Sequence, residues 1–188
     1  MSESVFKEIF TIGHSTRSIG EFLELLKAHN IETLIDIRTV PRSRHCPQFN
    51  QGALKSALIK EHIGYRHLKE LGGFRHPRKD SNNTGWTHAS FRGYADYMQT
   101  LGFKKGLDKL EKISQKKRCA LMCAEAVYWR CHRNLIADAL TVKKWKVFHI
   151  LSETTVKIHK RTSFLKIKKG ILTYPSPQTR LIQKSSFR

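Results

Sequence analysis

No stretch of this chain approaches the roughly 18 consecutive apolar residues of a membrane span. Acidic residues are scarce: 15 Asp and Glu stand against 35 Lys and Arg, for a formal net charge of +20. That imbalance favours a polyanionic partner, with nucleic acid ahead of an acidic membrane or protein; a solvated basic surface is the plainer alternative. The four cysteines form no secreted framework, and Met1 to Phe10 carries two Glu without the apolar core of a signal peptide. The expectation is a cytoplasmic, reducing environment with free thiols or metal ligands. There is no internal repeat, and no glycine lies between Cys123 and Arg133 to cradle a phosphate.

What is present suits one domain. The 188 residues are 39% hydrophobic and 27% charged, enough apolar material for a real core. Short β-prone runs alternate with amphipathic stretches. Strands are expected at Phe10–Ile12, 33–38, 65–68, 119–123 and 146–151. Between them, helices are expected from Ser18, whose Glu21 makes a capping box, over 51–62, 91–97, 103–113 and 129–142. Residues 72–90, with three glycines, Pro77 and Ser81-Asn82-Asn83, read as a long functional loop. This alternation predicts an α/β domain over 1–151, with a mainly parallel sheet flanked by helices. A basic C-terminal extension over 152–188 carries nine Lys or Arg against one acid, Glu153.

Three polar signatures follow predicted strands: Gly13-His14-Ser15, Asp36-x-Arg38-x-x-Pro41-x-Ser43, and Cys123-x-Glu125 with Cys131-His132-Arg133 close behind. Parallel strands end on one edge of a sheet, and open α/β folds bind ligands there. The spacing therefore predicts a single crevice gathering His14, Asp36, Arg38, Glu125 and Arg133.

The chain resembles the domain-of-unknown-function family 488, a group of small prokaryotic proteins. The matching pieces are Thr11-Ile-Gly-His-Ser15, Asp36-Ile-Arg38-x-x-Pro41-x-Ser43, Leu71-Gly-Gly73, Phe91-Arg-Gly-Tyr94-Ala-Asp-Tyr97-Met98, Leu121-Met-Cys-Ala-Glu125 and Cys131-His-Arg133. They run in order over about residues 10–151. The resemblance implies a fold and a shared polar site, without an established activity.

Several chemistries fit these residues. In the first, Arg38 and Arg133 hold a phosphate beside the free N–H groups of the 129–142 helix. Asp36 and Glu125 then act as general base or acid with His14, or one of them only orients Arg38. In the second, Cys131 is a nucleophile whose thiol is activated by His132 and Arg133. Against it, Arg130 falls one residue late for a Cys-x5-Arg phosphate loop. In the third, Cys123, Glu125, Cys131 and His14 or His132 hold a metal; Cys119 and Cys123, roughly 13 Å apart on a strand, cannot share one. The bland alternative is a buried salt-bridge network tying strand ends together.

The expected catalytic set is His14, Asp36, Glu125, Cys131 and His132, and no metal is assigned. Ser15, Arg38, Ser43, Trp86, Tyr94, Cys123 and Arg133 are the expected ligand contacts, with Trp86 placed to stack a base. No particular cofactor is implied. The function these features favour is binding of a nucleic acid or nucleotide, with hydrolase or transferase chemistry. The competing classes are a non-enzymatic nucleic-acid-binding module and a metal- or thiol-dependent small-molecule enzyme.

Overall fold

The apolar runs pair through their backbones into one sheet, and the amphipathic stretches cover both of its faces. In the computed structural model, which describes residues 7–176, the order is β1 (Glu8–Gly13), α1 (Ile19–Ala28), β2 (Thr33–Asp36), α2 (Gln51–Lys60), β3 (Gly64–His67), α3 (Ala89–Tyr97), α4 (Leu101–Ser114), β4 (Cys119–Cys123), α5 (Arg133–Val142), β5 (Lys146–Ile150) and β6 (Val156–Ile158). A two-stranded hairpin, β7 (Lys166–Lys168) and β8 (Ile171–Thr173), follows. The six-stranded sheet runs β3-β2-β4-β1-β5-β6. All neighbours are parallel except β5 and β6. Among the described residues no helix is long and apolar enough to cross a membrane.

Strand order explains the layers. The chain winds from β1 through β2 to β3, then returns to insert β4 between β1 and β2. Crossovers of one hand therefore place α1 and α2 on one face and α3, α4 and α5 on the other. Side-chain alternation along β4 matches this. Ala120 and Met122 join Phe22, Leu26, Leu54 and Leu58 under α1 and α2. Cys119, Leu121 and Cys123 join Tyr94, Leu110 and Ile136 under α3–α5. Cys119 is fully buried.

Local chemistry sets the boundaries. Ser18 caps α1 with the expected box: its N–H donates to Glu21 Oε2 at 2.7 Å and its Oγ accepts the Glu21 N–H at 3.2 Å. The 33–38 strand stops early because Asp36 Oδ1 accepts the Arg38 N–H at 3.0 Å, turning the chain. The inward side of α2 is Leu54 and Leu58, whereas Ala53 is exposed. The expected 129–142 helix begins only at Arg133. Tyr128–Arg130 is a separate 3-10 turn, and Cys131 is extended (φ −129°), which breaks the helix and turns its sulfur inward.

Beyond residue 151 the described chain is built into the domain. β6 extends the sheet next to β5. Tyr174 is fully buried; its hydroxyl donates to Asp138 Oδ2 at 3.1 Å and its N–H to Asn83 Oδ1 at 2.8 Å. Arg180, Lys184 and Arg188 of the basic segment lie outside the described residues.

A buried polar chain crosses this region. Asp138 Oδ1 accepts from His159 Nε2 at 3.0 Å, His159 Nδ1 meets His149 Nε2 at 3.1 Å, and His149 Nδ1 meets the Thr11 hydroxyl at 2.7 Å. Tyr128 stacks on the His149 ring at 3.6 Å. Burial first, then the charges of His159, Arg133 and Lys157, push the His149 pKa down to about 3. The unfolded chain takes up this proton near pH 6.5 and the folded chain near 3. The contribution to stability is therefore complete above about pH 6.5 and is lost as the pH falls toward 3. We predict a stability decline of about 1.4 kcal/mol per pH unit from this one proton, read by urea unfolding at stepped pH. His149→Gln should flatten the decline by that amount.

Candidate functional site: a thiol and guanidinium crevice at the strand ends

The C-terminal ends of β1, β4 and β2 lie side by side, with Gly13 opposite Cys123 and Asp36 opposite Met122. The turn after β1 presses on the turn after β4: His14 N–H donates to Cys123 O at 3.0 Å and Ser15 N–H to Ala124 O at 2.9 Å. Gly13 permits this approach, since a Cβ there would stand 1.9 Å from the Glu125 carbonyl oxygen.

Asp36 is the anchor of the second strand end. Fully buried, its carboxylate accepts from Arg38 Nη2 at 2.6 Å, Arg38 Nε at 3.0 Å and the Tyr65 hydroxyl at 2.8 Å, besides the Arg38 N–H. Burial, then the Asp36 charge, raises the Tyr65 pKa. Arg38 also donates through Nη2 to Phe49 O at 2.8 Å and faces His14 Nε2 through Nη1 at 3.4 Å. The His14 ring stacks on Phe49 at 4.3 Å, and its Nδ1–H donates to Ser15 O at 2.8 Å. Burial pushes the His14 pKa down, against that hydrogen bond, and the Arg38 charge adds to the depression.

The third strand end brings sulfur. His132 Nδ1 lies 3.9 Å from Cys123 Sγ and 3.7 Å from Cys131 Sγ, and its Nε2–H donates to Ile37 O at 3.2 Å. The ring packs on Tyr94, 5.0 Å between centroids, and Tyr94 donates its hydroxyl to Leu71 O at 2.8 Å. Arg133, 1% exposed, directs Nε to Cys131 Sγ at 3.4 Å, while its Nη2 donates to the Glu125 and Ala126 carbonyls. Burial alone would raise the Cys131 thiol. Its hydrogen bonds with Cys123 and His132, with the charges of His132 and Arg133, instead hold it well below the usual range. The Cys123 thiol is held well above it, first by the hydrogen bond to Cys131, then by burial.

These groups border a crevice of about 370 Å³, within the range of small-ligand sites. Of the twelve residues singled out in the sequence, Arg38, Tyr94, Cys123, Glu125, Cys131 and His132 line it. Asp36, His14 and Arg133 stand behind, bonded to lining residues. Ser15 and Ser43 are set apart in the turns around Cys46, where the Cys46 thiol donates to Ser15 O and the Cys46 N–H to Ser43 Oγ. Trp86 is also apart, packed on Phe91, Phe164 and Tyr174. Arg133 clamps the 125–126 turn and does not line the crevice.

Arg42, Arg130, Phe74 and Phe91 also line the crevice, and of these Phe91 has a sequence signal as an aromatic beside the basic 75–79 loop. Arg42 occupies a variable position of the Pro41-x-Ser43 signature, and Arg130 stands out in sequence only by its offset from a Cys-x5-Arg spacing. Phe74 carried a weak signal, as an isolated aromatic directly after Gly72-Gly73. It is 86% exposed with φ +54°, a conformation uncommon for a bulky residue.

The fold and crevice define a doubly wound α/β protein with its polar groups at the topological switch point. The family described as Domain of unknown function DUF488 matches residues 18–140, about two thirds of the chain, and the chain belongs to that family. No curated protein and no solved structure matches it.

Asp36→Asn should destabilise the fold by about 3–5 kcal/mol, because it leaves the Arg38 charge buried without its partner. The exposed Glu125→Gln should stay within about 0.5 kcal/mol of the parent protein. Denaturant unfolding of both variants checks this contrast.

Proposed function

We propose that the protein binds a phosphorylated ligand, a nucleotide or a nucleic-acid strand, in this crevice and processes it by hydrolysis or group transfer. The observation that carries the reading is the lining itself: three arginines, Arg38, Arg42 and Arg130, line it with one carboxylate residue, Glu125. Guanidinium groups match phosphate oxygens in pairs. Arg38 arrives pre-oriented, since Asp36 and Phe49 O fix its Nε and Nη2 and leave Nη1 the edge with donor capacity to spare.

Phe74 and Phe91 supply flat apolar walls against which a base stacks. Asp36 already accepts from four donor groups, three of them on Arg38, so its part is to hold Arg38. Glu125, exposed at the mouth, is the carboxylate free to take a proton from an attacking water or hydroxyl. The net charge of +20 adds long-range attraction for such a ligand.

The test is titration with mononucleotides and short DNA and RNA oligonucleotides, followed by calorimetry at several salt concentrations. Arg42→Ala and Arg130→Ala should each weaken binding roughly tenfold and make the log Kd against log salt slope shallower. Phe74→Ala should weaken nucleotide binding by a similar factor and leave inorganic phosphate unaffected. Failure of the parent protein to bind any of these ligands, or variants that bind as it does, would overturn the proposal.

A further inference from the structure

We propose that Cys123, Cys131 and His132 form a binding site for a zinc-type divalent ion whose fourth coordination position opens into the crevice. The ligand atoms converge from two segments, the last residue of β4 and the pair that precedes α5. All three lie within 4.8 Å of one another. A tetrahedral ion with Zn–S of about 2.3 Å and Zn–N of about 2.0–2.1 Å spaces sulfur and nitrogen roughly 3.6 Å apart. The observed separations from His132 Nδ1 are 3.7 and 3.9 Å, so both nitrogen–sulfur spacings are within a few tenths of an ångström of that geometry, and the two sulfurs lie within 4.8 Å of each other.

The surroundings are those a metal ligand needs. The Ile37 carbonyl can only accept, so it fixes the hydrogen on His132 Nε2 and turns Nδ1 to the sulfurs. This is the outer-shell contact that orients ligating histidines. Gly73 leaves room for the ring: a Cβ there would stand 3.2 Å from Nδ1. Arg133 Nε directs its N–H at Cys131 Sγ and favours the thiolate that an ion requires. Both sulfurs are shielded, with Cys123 8% and Cys131 3% exposed. Binding replaces the thiol protons, and any proton on Nδ1, which pass to solvent.

Three protein ligands and one open position is the pattern of a reactive zinc site rather than a closed structural one. The open side meets the crevice lined by Arg38, Arg42 and Arg130. A water or a phosphate oxygen would complete the coordination there. Only this last statement rests on the phosphate-binding reading; the metal site stands on the side-chain geometry alone.

The full chain, reduced and stripped with a chelator, is titrated anaerobically with Co2+ and then with Zn2+, with no other ligand present. The expected result is one equivalent of Co2+ with thiolate-to-cobalt charge-transfer absorption and tetrahedral bands, displaced by one equivalent of Zn2+. His132→Ala, at a half-buried position, should stay folded by circular dichroism and lose this stoichiometric uptake. Cys123→Ser should lose a sulfur contribution from the charge-transfer band, and Cys46→Ser should behave as the parent protein. Absence of thiolate–cobalt absorption in the reduced parent chain would overturn the proposal, whatever the variants do. So would full uptake by folded His132→Ala. Inorganic phosphate added to the Co2+ form then separates the two readings: metal uptake with no spectral response to phosphate retains the ion and removes the phosphate from its fourth position.

Discussion

Asp36 and Arg38 meet in the interior, where each charge has given up its water, and the rest of the strand-end architecture is arranged around that cost. A buried ion pair stands only when its remaining donors and acceptors are satisfied. Here Tyr65 on β3, the Phe49 carbonyl before α2 and His14 after β1 supply the missing partners. The pair therefore fastens β1, β2 and β3 to one another at the edge where the crevice opens. It also aims a guanidinium into that crevice with little freedom to turn away. The bland reading of these charges, a network that ties strand ends together, and the functional reading describe two faces of the same Arg38.

On the sulfur side the division of labour is similar. Arg133 looks in sequence like a ligand-binding cation, but burial and two backbone carbonyls commit it to the 125–126 turn. That turn carries Glu125 on its outer surface and lets Cys123 and Cys131 approach one imidazole. The arginines left exposed on the crevice wall are Arg42 and Arg130, which no strand or helix pattern distinguishes. Buried and exposed positions thus alternate between arginines only three residues apart, Arg133 and Arg130.

Much of the fold was legible because it rests on periodicity. Each apolar run became a strand, the Ser18–Glu21 capping box began a helix, and the strand-end signatures came to a common edge. What was not legible depends on contacts distant in sequence. Helix α5 starts late because Cys131 is drawn inward, and nothing near Trp129 announces it. Trp86, which the sequence offers as a ligand contact, packs on Phe91, Phe164 and Tyr174, two of them contributed by the segment after residue 151. Nothing in the sequence couples His149 to His159, since their link to Asp138 exists only once β5, β6 and α5 are assembled. Within the site, the members were visible and their ranking was not: solvent exposure separates Glu125 from Asp36, and sequence spacing does not report exposure.

The place of β1 carries a consequence for how the chain comes to be folded. Both neighbours of this central strand, β4 and β5, come from residues beyond 118, and the core beside it also holds Tyr174. As the chain leaves the ribosome, β1 has two open hydrogen-bonding edges, and neither is filled until β4, 110 residues further on by the pairing of Phe10 with Ala120, has emerged. Pairings of such long separation form slowly, and unpaired apolar strands are where newly made chains stick to one another. For this fold the period of greatest exposure falls during synthesis, when the strand destined for the middle of the sheet is still an edge.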